Sequence, residues 1–284
     1  MQTGGAKLVT GISDSTKVQR LAERMRKSAI EMGHSAGRKG AHFGGALSCI
    51  EILACLYGGL MDISPQKAGK EPRDIFIASK AHCVLALYTA LAHRGFFPKE
   101  ELATFEGDGS YLSGHPVMKE EWGIEISGGS LGMGLSQGIG VALGYRRKGY
   151  DQHIFVLLGD GECDEGSVWE GIMSAAHYKL DNLVVIVDKN QLQYDGSTED
   201  VMGLTNLAAK FESFGFETYE VDGHSLDDLY DVLSKTVASK NGKPKAVIAN
   251  TVKGKGISFM EGHAEWHHGV LTDELYQKAV AELN

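Results

Sequence analysis

Two short polar segments, each at the end of an apolar run, contain the residue types that bind a metal ion and a phosphate. Gly159-Asp160-Gly161-Glu162 follows the run HIFVLL, and Asp188-Lys189-Asn190 ends the run LVVIVD. If both runs are parallel strands, Asp160 and Asn190 converge at one edge of the sheet. One carboxylate and one amide oxygen suit Mg²⁺ and leave coordination positions for phosphate oxygens. An acidic turn that only caps a helix explains Asp160 but not Asn190.

Five histidines lie in glycine-containing or turn segments instead of on apolar helix faces. An imidazole donates or accepts hydrogen bonds and protons near neutral pH, which suits a polyhydroxylated substrate. These histidines are His42, His82, His115 and the adjacent pair His267 and His268. Taken singly, each is more often a surface or structural histidine. The other six keep that interpretation: His34, His93, His153, His177, His224 and His263.

A glycine-rich segment, Gly128-Gly129-Ser130-Leu131-Gly132-Met133-Gly134, lies directly before a predicted helix. Glycines allow the backbone to approach a ligand closely. A dinucleotide-type phosphate cradle is one alternative. It is the weaker one, because Gly-x-Gly patterns are common and no acidic residue ends a suitable following strand.

An alternation of strands and helices positions these segments. Apolar strands separated by helices indicate a parallel sheet that is buried on both faces. We therefore predict an α/β fold with a doubly wound, mainly parallel sheet flanked by helices, as a single domain over 1–284 with N-terminal helical and C-terminal extensions. Strands are expected within 74–80, 153–160, 183–188, 217–222 and 244–252, and helices over 15–32, 46–60, the stretch after a turn near Ser79-Lys80, 135–147, 167–178, 204–214 and 225–239.

Composition argues against several classes of protein. The net charge is −9, and no basic block is longer than Arg146-Arg147-Lys148, which argues against a nucleic-acid partner. No apolar run approaches the roughly 20 residues of a membrane span, and the first thirty residues lack the apolar centre of a signal peptide. We expect a cytoplasmic protein with no membrane partner, whose four cysteines, Cys49, Cys55, Cys83 and Cys163, are free thiols.

The stretch GDGECDEGSVWEGIMSAAHYKLDNLVVIVDKNQLQYDG resembles the thiamine-diphosphate fingerprint in the form typical of the transketolase family. The resemblance implies that Asp160, Asn190 and the main-chain carbonyl of Leu192 bind Mg²⁺, or Ca²⁺ or Mn²⁺ in its place. It also implies that thiamine diphosphate lies against Gly159, Gly161 and Glu162. Glu165 is implied to lie at the subunit interface as a proton-relay residue; the alternative is an exposed acid favoured by the helix dipole.

The histidine segments resemble further parts of the same family. Gly40-Ala41-His42-Phe43-Gly44-Gly45 is similar to a loop whose histidine faces the donor sugar, and Ser79-Lys80-Ala81-His82 and Gly114-His115-Pro116 resemble two more active-site segments. The glycine-rich segment implies cofactor support by Gly129 and Leu131. Near the C-terminus, the family's last histidine contacts the cofactor diphosphate and the substrate. Alignment on Trp266 matches this histidine to His267, whereas alignment on His268-Gly269-Val270 matches it to His268. Both His82 and His267 are therefore also candidates for cofactor binding.

The resemblance extends from about residue 18 to 275 but matches only the N-terminal portion of a full-length transketolase. The pyrimidine-binding domain and its catalytic glutamate lie outside it. We therefore predict an N-terminal subunit that needs a C-terminal transketolase-like partner, assembled as a heterotetramer. The implied reaction transfers a two-carbon ketol (glycolaldehyde) unit from a ketose donor to an aldose. The donor stays open between an ordinary sugar phosphate and a modified sugar.

Two other functions remain compatible with the motifs. The alpha subunit of a thiamine-diphosphate 2-oxo-acid dehydrogenase shares the Gly-Asp-Gly segment and also needs a second chain. The contexts of His42, His82 and His115 favour a sugar over a 2-oxo acid. The second is a non-catalytic cofactor-binding protein. Turnover assays with and without a partner chain would distinguish both alternatives from a transketolase subunit.

Overall fold

The computed structural model describes residues 15–284 and contains a single five-stranded sheet in that part of the chain. The strands are β1 (Ile75–Ala78), β2 (Ile154–Gly159), β3 (Leu183–Lys189), β4 (Glu217–Asp222) and β5 (Lys245–Asn250). Every neighbouring pair is parallel, in the order β1-β2-β3-β5-β4. All five strands therefore end at the same edge of the sheet.

Helices cover both faces of this sheet. They are α1 (Ser15–Ser35), α2 (Gly44–Leu47), α3 (Ile50–Cys55), α4 (Val84–His93), α5 (Met133–Lys148), α6 (Gly166–His177), α7 (Thr198–Met202), α8 (Leu207–Ser213), α9 (Leu226–Ala238) and α10 (Asp273–Glu282). Short 3₁₀ turns follow β1 at Ala81–Cys83 and β2 at Gly161–Asp164, so the chain turns tightly where two strands end.

Side chains that alternate along the strands supply two separate hydrophobic cores. Phe155 and Leu157 of β2 face a core formed with α1, α3, α4 and α9. Val156 and Leu158 face the opposite core, formed with α5, α6 and α8. Burial on both faces explains why β1, β2, β3 and β5 are apolar almost throughout. The predicted doubly wound α/β fold is confirmed.

Most predicted elements end within two residues of the observed ones, and α1 buries five apolar residues at helical spacing. These are Val18, Leu21, Met25, Ala29 and Met32. The domain organisation predicted for 1–284 stays a prediction, since residues 1–14 lie outside the described part. No helix within 15–284 has the length and apolarity needed to cross a bilayer.

Three predicted elements need correction. The single helix predicted over 46–60 is wrong, because the chain forms α2, α3 and a π turn at Leu56–Leu60 that contains two glycines. The helix predicted from 204 begins only at Leu207, where the Asn206 side chain accepts from the Ala209 N–H. Strand β4 is not buried on both faces: as an edge strand, its residues are mostly half-buried or exposed.

Candidate active site

The carboxyl edge of the sheet contains a cleft lined by the residues that follow four strands. Lys80 follows β1, Asp160 follows β2, Asn190 follows β3 and Lys253 follows β5. Gly159, Gly161, Glu162 and Leu192, together with Leu131, His82 and His267, also line it. The predicted convergence of Asp160 and Asn190 therefore holds in the structure.

Asp188, at the end of β3, is fully buried beneath this cleft and receives hydrogen bonds from four side chains. Ser48 Oγ donates to it at 2.6 Å and Asn190 Nδ2 at 3.2 Å. Thr251 Oγ1 also donates to it, and Lys80 Nζ forms a fully buried ion pair with it. Burial alone would raise the pKa of Asp188, but Lys80 and the two hydroxyls hold it below its ordinary value. Asp188 is therefore an ionised anchor that joins three strand ends to the end of α2.

Asp160 has little compensating positive charge. Its Oδ1 accepts the Gly161 N–H at 3.0 Å, and its Oδ2 accepts the Gln191 N–H at 2.6 Å. Burial, and then the negative charge of Asp188, raise the pKa of Asp160 to about 6. A carboxylate in this setting is stabilised by a bound cation.

The other two predicted metal-binding oxygens come from the segment after β3. Asn190 Oδ1 accepts the Leu192 N–H at 3.1 Å, and the Leu192 carbonyl accepts from Lys253 Nζ at 2.8 Å. Burial, followed by the charge of Lys80, lowers the pKa of Lys253 to about 8. A carboxylate, an amide and a main-chain carbonyl thus lie at one edge with an ammonium among them.

Glu162 holds the glycine-rich segment against the sheet. It is almost fully buried and accepts the Gly132 N–H at 2.8 Å, the Gly159 N–H at 3.0 Å and the Ser79 hydroxyl. Gly132 has φ +80°, and a Cβ there would clash with Ser167 and Glu165. This anchoring places Leu131, whose side chain is 37% exposed, at the cleft wall.

Gly129 and Glu165 lie at the outer side of the same region. A Cβ on Gly129 would meet nothing within 4 Å in the described chain, so internal packing does not explain a glycine there. Glu165 is exposed and directly precedes α6, beside Gly132. Both residues therefore face outwards near the glycine-rich segment.

All five singled-out histidines come together around His42. Its ring centroid is 5.4 Å from that of His82, 5.5 Å from those of His115 and His267, and 4.6 Å from that of His268. His82 and His267 are 5.0 Å apart and line the cleft, whereas His115 and His268 do not line it. The two adjacent histidines therefore occupy different parts of one cluster, with only His267 at the cleft, and the choice between them as the functional residue stays open.

Three of these histidines, His42, His82 and His267, are neutral at pH 7. Burial, followed by neighbouring histidines, lowers the pKa of His42 to about 3. Burial and Lys253 lower the pKa of His267 to about 4, and burial and Lys80 lower the pKa of His82 well below its ordinary value. Within residues 15–284 no group of three or more His, Cys, Asp or Glu side chains is arranged to hold a metal ion, so the cluster is not a metal site of that kind. Neutral imidazoles both donate and accept hydrogen bonds.

Sequence reasoning missed Lys80, Asp188 and Lys253 as members of the site. The signal that could have identified Asp188 is a carboxylate at the end of an otherwise apolar strand, since a buried charge requires a partner. Nothing local in the sequence links Asp188 to Lys80, which lies 108 positions away.

The comparisons with known proteins agree with this geometry. Residues 18–283 match the family model described as transketolase, thiamine diphosphate binding domain. The chain belongs to the transketolase family. This confirms the predicted family and the predicted class of enzyme, a thiamine-diphosphate-dependent transferase of the transketolase type.

Similar proteins include short, subunit-length transketolases. The chain is 43% identical over 263 residues to an apulose-4-phosphate transketolase subunit of Phocaeicola vulgatus, covering 93% of this chain and 92% of that protein. It is 40% identical over 267 residues to the 6-deoxy-6-sulfo-D-fructose transketolase subunit SqwG of a Clostridium species, covering 94% and 96%. The crystal structure of Campylobacter jejuni transketolase matches with a TM-score of 0.86 at 28% identity, over 94% of this chain but only 43% of that longer one.

We predict that Asp188→Asn lowers the free energy of unfolding by about 3–5 kcal/mol, because it leaves the Lys80 ammonium buried without its counter-ion. Urea denaturation measures this. The matched control is Asp231→Asn, which removes an exposed i,i+4 pair with Lys235 and should cost at most about 0.5 kcal/mol. Equal effects of the two substitutions would contradict the role given to Asp188.

Proposed function

We propose that this chain is the N-terminal subunit of a two-chain transketolase, which transfers a two-carbon ketol unit from a ketose to an aldose. The observation that supports it most is the convergence of five histidines beside the cleft. Two relatives are named as subunits of transketolases for apulose 4-phosphate and for 6-deoxy-6-sulfo-D-fructose, which favours a sugar donor and a second subunit. These two names cover a phosphorylated and a sulfonated sugar, so the donor itself stays open.

The residues of the cleft fit a metal-bound diphosphate. Asp160, Asn190 Oδ1 and the Leu192 carbonyl are hard oxygen donors of the kind that Mg²⁺ prefers. We propose that they hold Mg²⁺, with Ca²⁺ or Mn²⁺ as substitutes, and that the metal relieves the uncompensated charge on Asp160. Lys253, which donates to the Leu192 carbonyl in this structure, supplies positive charge for a diphosphate. The backbone at Gly159 and Gly161 offers close approach to it.

Bound thiamine diphosphate supplies an electron sink for cleavage of the carbon–carbon bond next to a ketose carbonyl. This chain contributes binding and proton handling. Since the Lys253 ammonium can only donate, His267 accepts from it at Nδ1 over 3.1 Å, and the neutral ring keeps its proton on Nε2. His267, which lines the cleft, can therefore donate from Nε2.

The histidine cluster suits the hydroxyl groups of a sugar. His42 is surrounded by His82, His115, His267 and His268, so a polyol placed there meets both donors and acceptors. A 2-oxo acid offers no comparable set of hydroxyls. This observation favours ketol transfer over the 2-oxo-acid dehydrogenase alternative.

We further propose that Gly129, Leu131 and Glu165 face the pyrimidine half of the cofactor and the partner subunit. Gly129 and Glu165 are exposed on the outer side of this region, and Leu131 of the glycine-rich segment lies at the cleft wall, which supports this. Glu165 would then act as the proton relay implied by the family resemblance. The heterotetrameric assembly and the cytoplasmic location stay predictions.

The first test is reconstitution. We predict that the purified chain alone binds thiamine diphosphate weakly and shows no ketol transfer, because half of the pocket comes from another polypeptide. Co-purification with a neighbouring-gene product that contains a pyrimidine-binding domain should restore turnover with phosphorylated or sulfonated ketoses. Robust turnover by the chain alone would refute the two-chain proposal, and a complex that binds cofactor but transfers no ketol unit would favour the non-catalytic alternative.

Asp160→Ala should abolish Mg²⁺-dependent binding of thiamine diphosphate while the fold is kept, because the substitution removes the only carboxylate proposed as a ligand. Calorimetric titration, with circular dichroism to check folding, measures both properties. Asp164→Ala is the matched control, since Asp164 lies in the same turn but hydrogen-bonds Gln193 Nε2 at 2.7 Å. Wild-type affinity in the Asp160 variant would count against the metal assignment.

His82→Ala and His115→Ala should each lower kcat and kcat/KM of the reconstituted enzyme by about 10²- to 10⁴-fold. Cofactor affinity should fall much less for His115→Ala, since His115 does not line the cofactor cleft. His177→Ala, at the end of α6, is the control and should keep normal turnover. Thermal melts on each variant separate catalysis from stability. If both cluster variants turn over normally, the histidines are not catalytic and the 2-oxo-acid alternative gains support.

A further inference from the structure

Arg26, Glu51 and His224 form a continuous polar chain outside the cleft. Arg26 belongs to α1, Glu51 to α3 and His224 to the loop between β4 and α9. Arg26 forms an ion pair with Glu51, and Glu51 Oε2 lies 3.1 Å from His224 Nδ1. The three side chains are only 9%, 13% and 14% exposed. None of them lines the cofactor cleft, so their function must be indirect.

The Val252 amide fixes the direction of the hydrogen bonds that His224 makes. The Val252 N–H donates to His224 Nε2 at 2.8 Å, so that nitrogen is unprotonated. The proton of the neutral ring is therefore on Nδ1 and is donated to Glu51. Burial would raise the pKa of Glu51, but His224 and Arg26 hold it below its ordinary value, so the carboxylate is ionised and accepts.

Two of these residues, His224 and Arg26, hold the backbone on either side of Lys253, and Glu51 joins them. His224 holds the amide of Val252, and Arg26 Nη1 donates to the carbonyl of Lys255. A Cβ on Gly256 would lie 2.6 Å from the Arg26 side chain, so the segment after β5 packs closely against α1. Between the two fixed points, Lys253 reaches the Leu192 carbonyl and His267 Nδ1. The segment after β5 is thus fixed on the side opposite to the cleft.

We propose that His224 is a positioning residue for the diphosphate end of the cofactor site, acting through the Val252 amide on the segment that bears Lys253. This inference rests on the proposed function, because it assumes that the cleft takes a metal-bound diphosphate. A segment that is fixed before binding does not have to be ordered by the ligand, which raises affinity. Loss of the Val252 hydrogen bond therefore weakens diphosphate binding without any change in a ligand-contacting residue.

Two substitutions of His224 separate its two hydrogen bonds. The side-chain oxygen of Gln reaches the position of Nε2 and can accept the Val252 N–H, whereas the amide of Asn reaches only the position of Nδ1 and the Glu51 carboxylate. The probe is Mg²⁺ with inorganic diphosphate, titrated calorimetrically into the full chain, since this ligand needs no pyrimidine pocket from a partner. We expect His224→Asn to bind about five- to tenfold more weakly, the equivalent of one lost hydrogen bond. We expect His224→Gln to stay within about twofold of the wild type.

The control for general destabilisation is His153→Asn. His153 is a buried histidine whose Nδ1 lies 3.9 Å from Asp74 Oδ1. It directly precedes β2, so it lies at the amino ends of the strands, away from the cleft. This variant should lower the melting temperature and leave the dissociation constant of diphosphate unchanged. Equal binding by His224→Asn and the wild type would overturn the inference while the proposed function stands, and so would a loss of binding in His224→Gln as large as in His224→Asn. Failure of the wild-type chain to bind Mg²⁺ and diphosphate would overturn the proposed function and this inference together.

A measurement on the wild-type chain covers the case in which the Asn variant does not fold. Hydrogen exchange by mass spectrometry should show slow exchange at the Val252 amide in the absence of any ligand, because His224 already accepts its hydrogen. Fast exchange there that becomes slow only with Mg²⁺ and diphosphate would contradict a preformed segment.

Discussion

The whole site depends on the buried charge of Asp188. A carboxylate without contact to water is stable only if its partners satisfy it completely, and here the partners come from the end of α2 and the ends of β1, β3 and β5. Each of three partners also precedes a cleft residue by two positions: Lys80 precedes His82, Asn190 precedes Leu192, and Thr251 precedes Lys253. Correct placement of the cleft residues is therefore coupled to the stability of the fold.

The parallel sheet explains why so much of this site was predictable from sequence. Because all strands end at one edge, polar residues that directly follow apolar runs had to meet, and Asp160 and Asn190 do so around the backbone of Gln191 and Leu192. The remaining part depends on pairings that local patterns do not encode. Lys80 and Asp188 are distant in sequence and meet only when β1, β2 and β3 are aligned. The break between α2 and α3 and the late start of α8 reflect backbone preferences of single residues within otherwise helical patterns.

Burial and nearby lysines set the protonation state of the two histidines that line the cleft. Burial, and then the nearby charges of Lys80 and Lys253, lower the pKa values of His82 and His267, so these rings stay neutral. His115 and His268 contact His42 but lie away from the cleft lining. In the proposed enzyme, the two neutral rings of His82 and His267 therefore lie next to the diphosphate.

Gly129 has a consequence for protein engineering. In the described chain a Cβ at this position would meet nothing within 4 Å, so its replacement by alanine leaves the packing of the subunit undisturbed. A library selected for thermostability of the isolated subunit would therefore accept alanine at Gly129. If the proposed assembly is correct, the same substitution would be eliminated by selection for growth that depends on the assembled enzyme. Variants of this subunit should therefore be selected by the activity of the assembled complex and not by the melting temperature of the isolated chain.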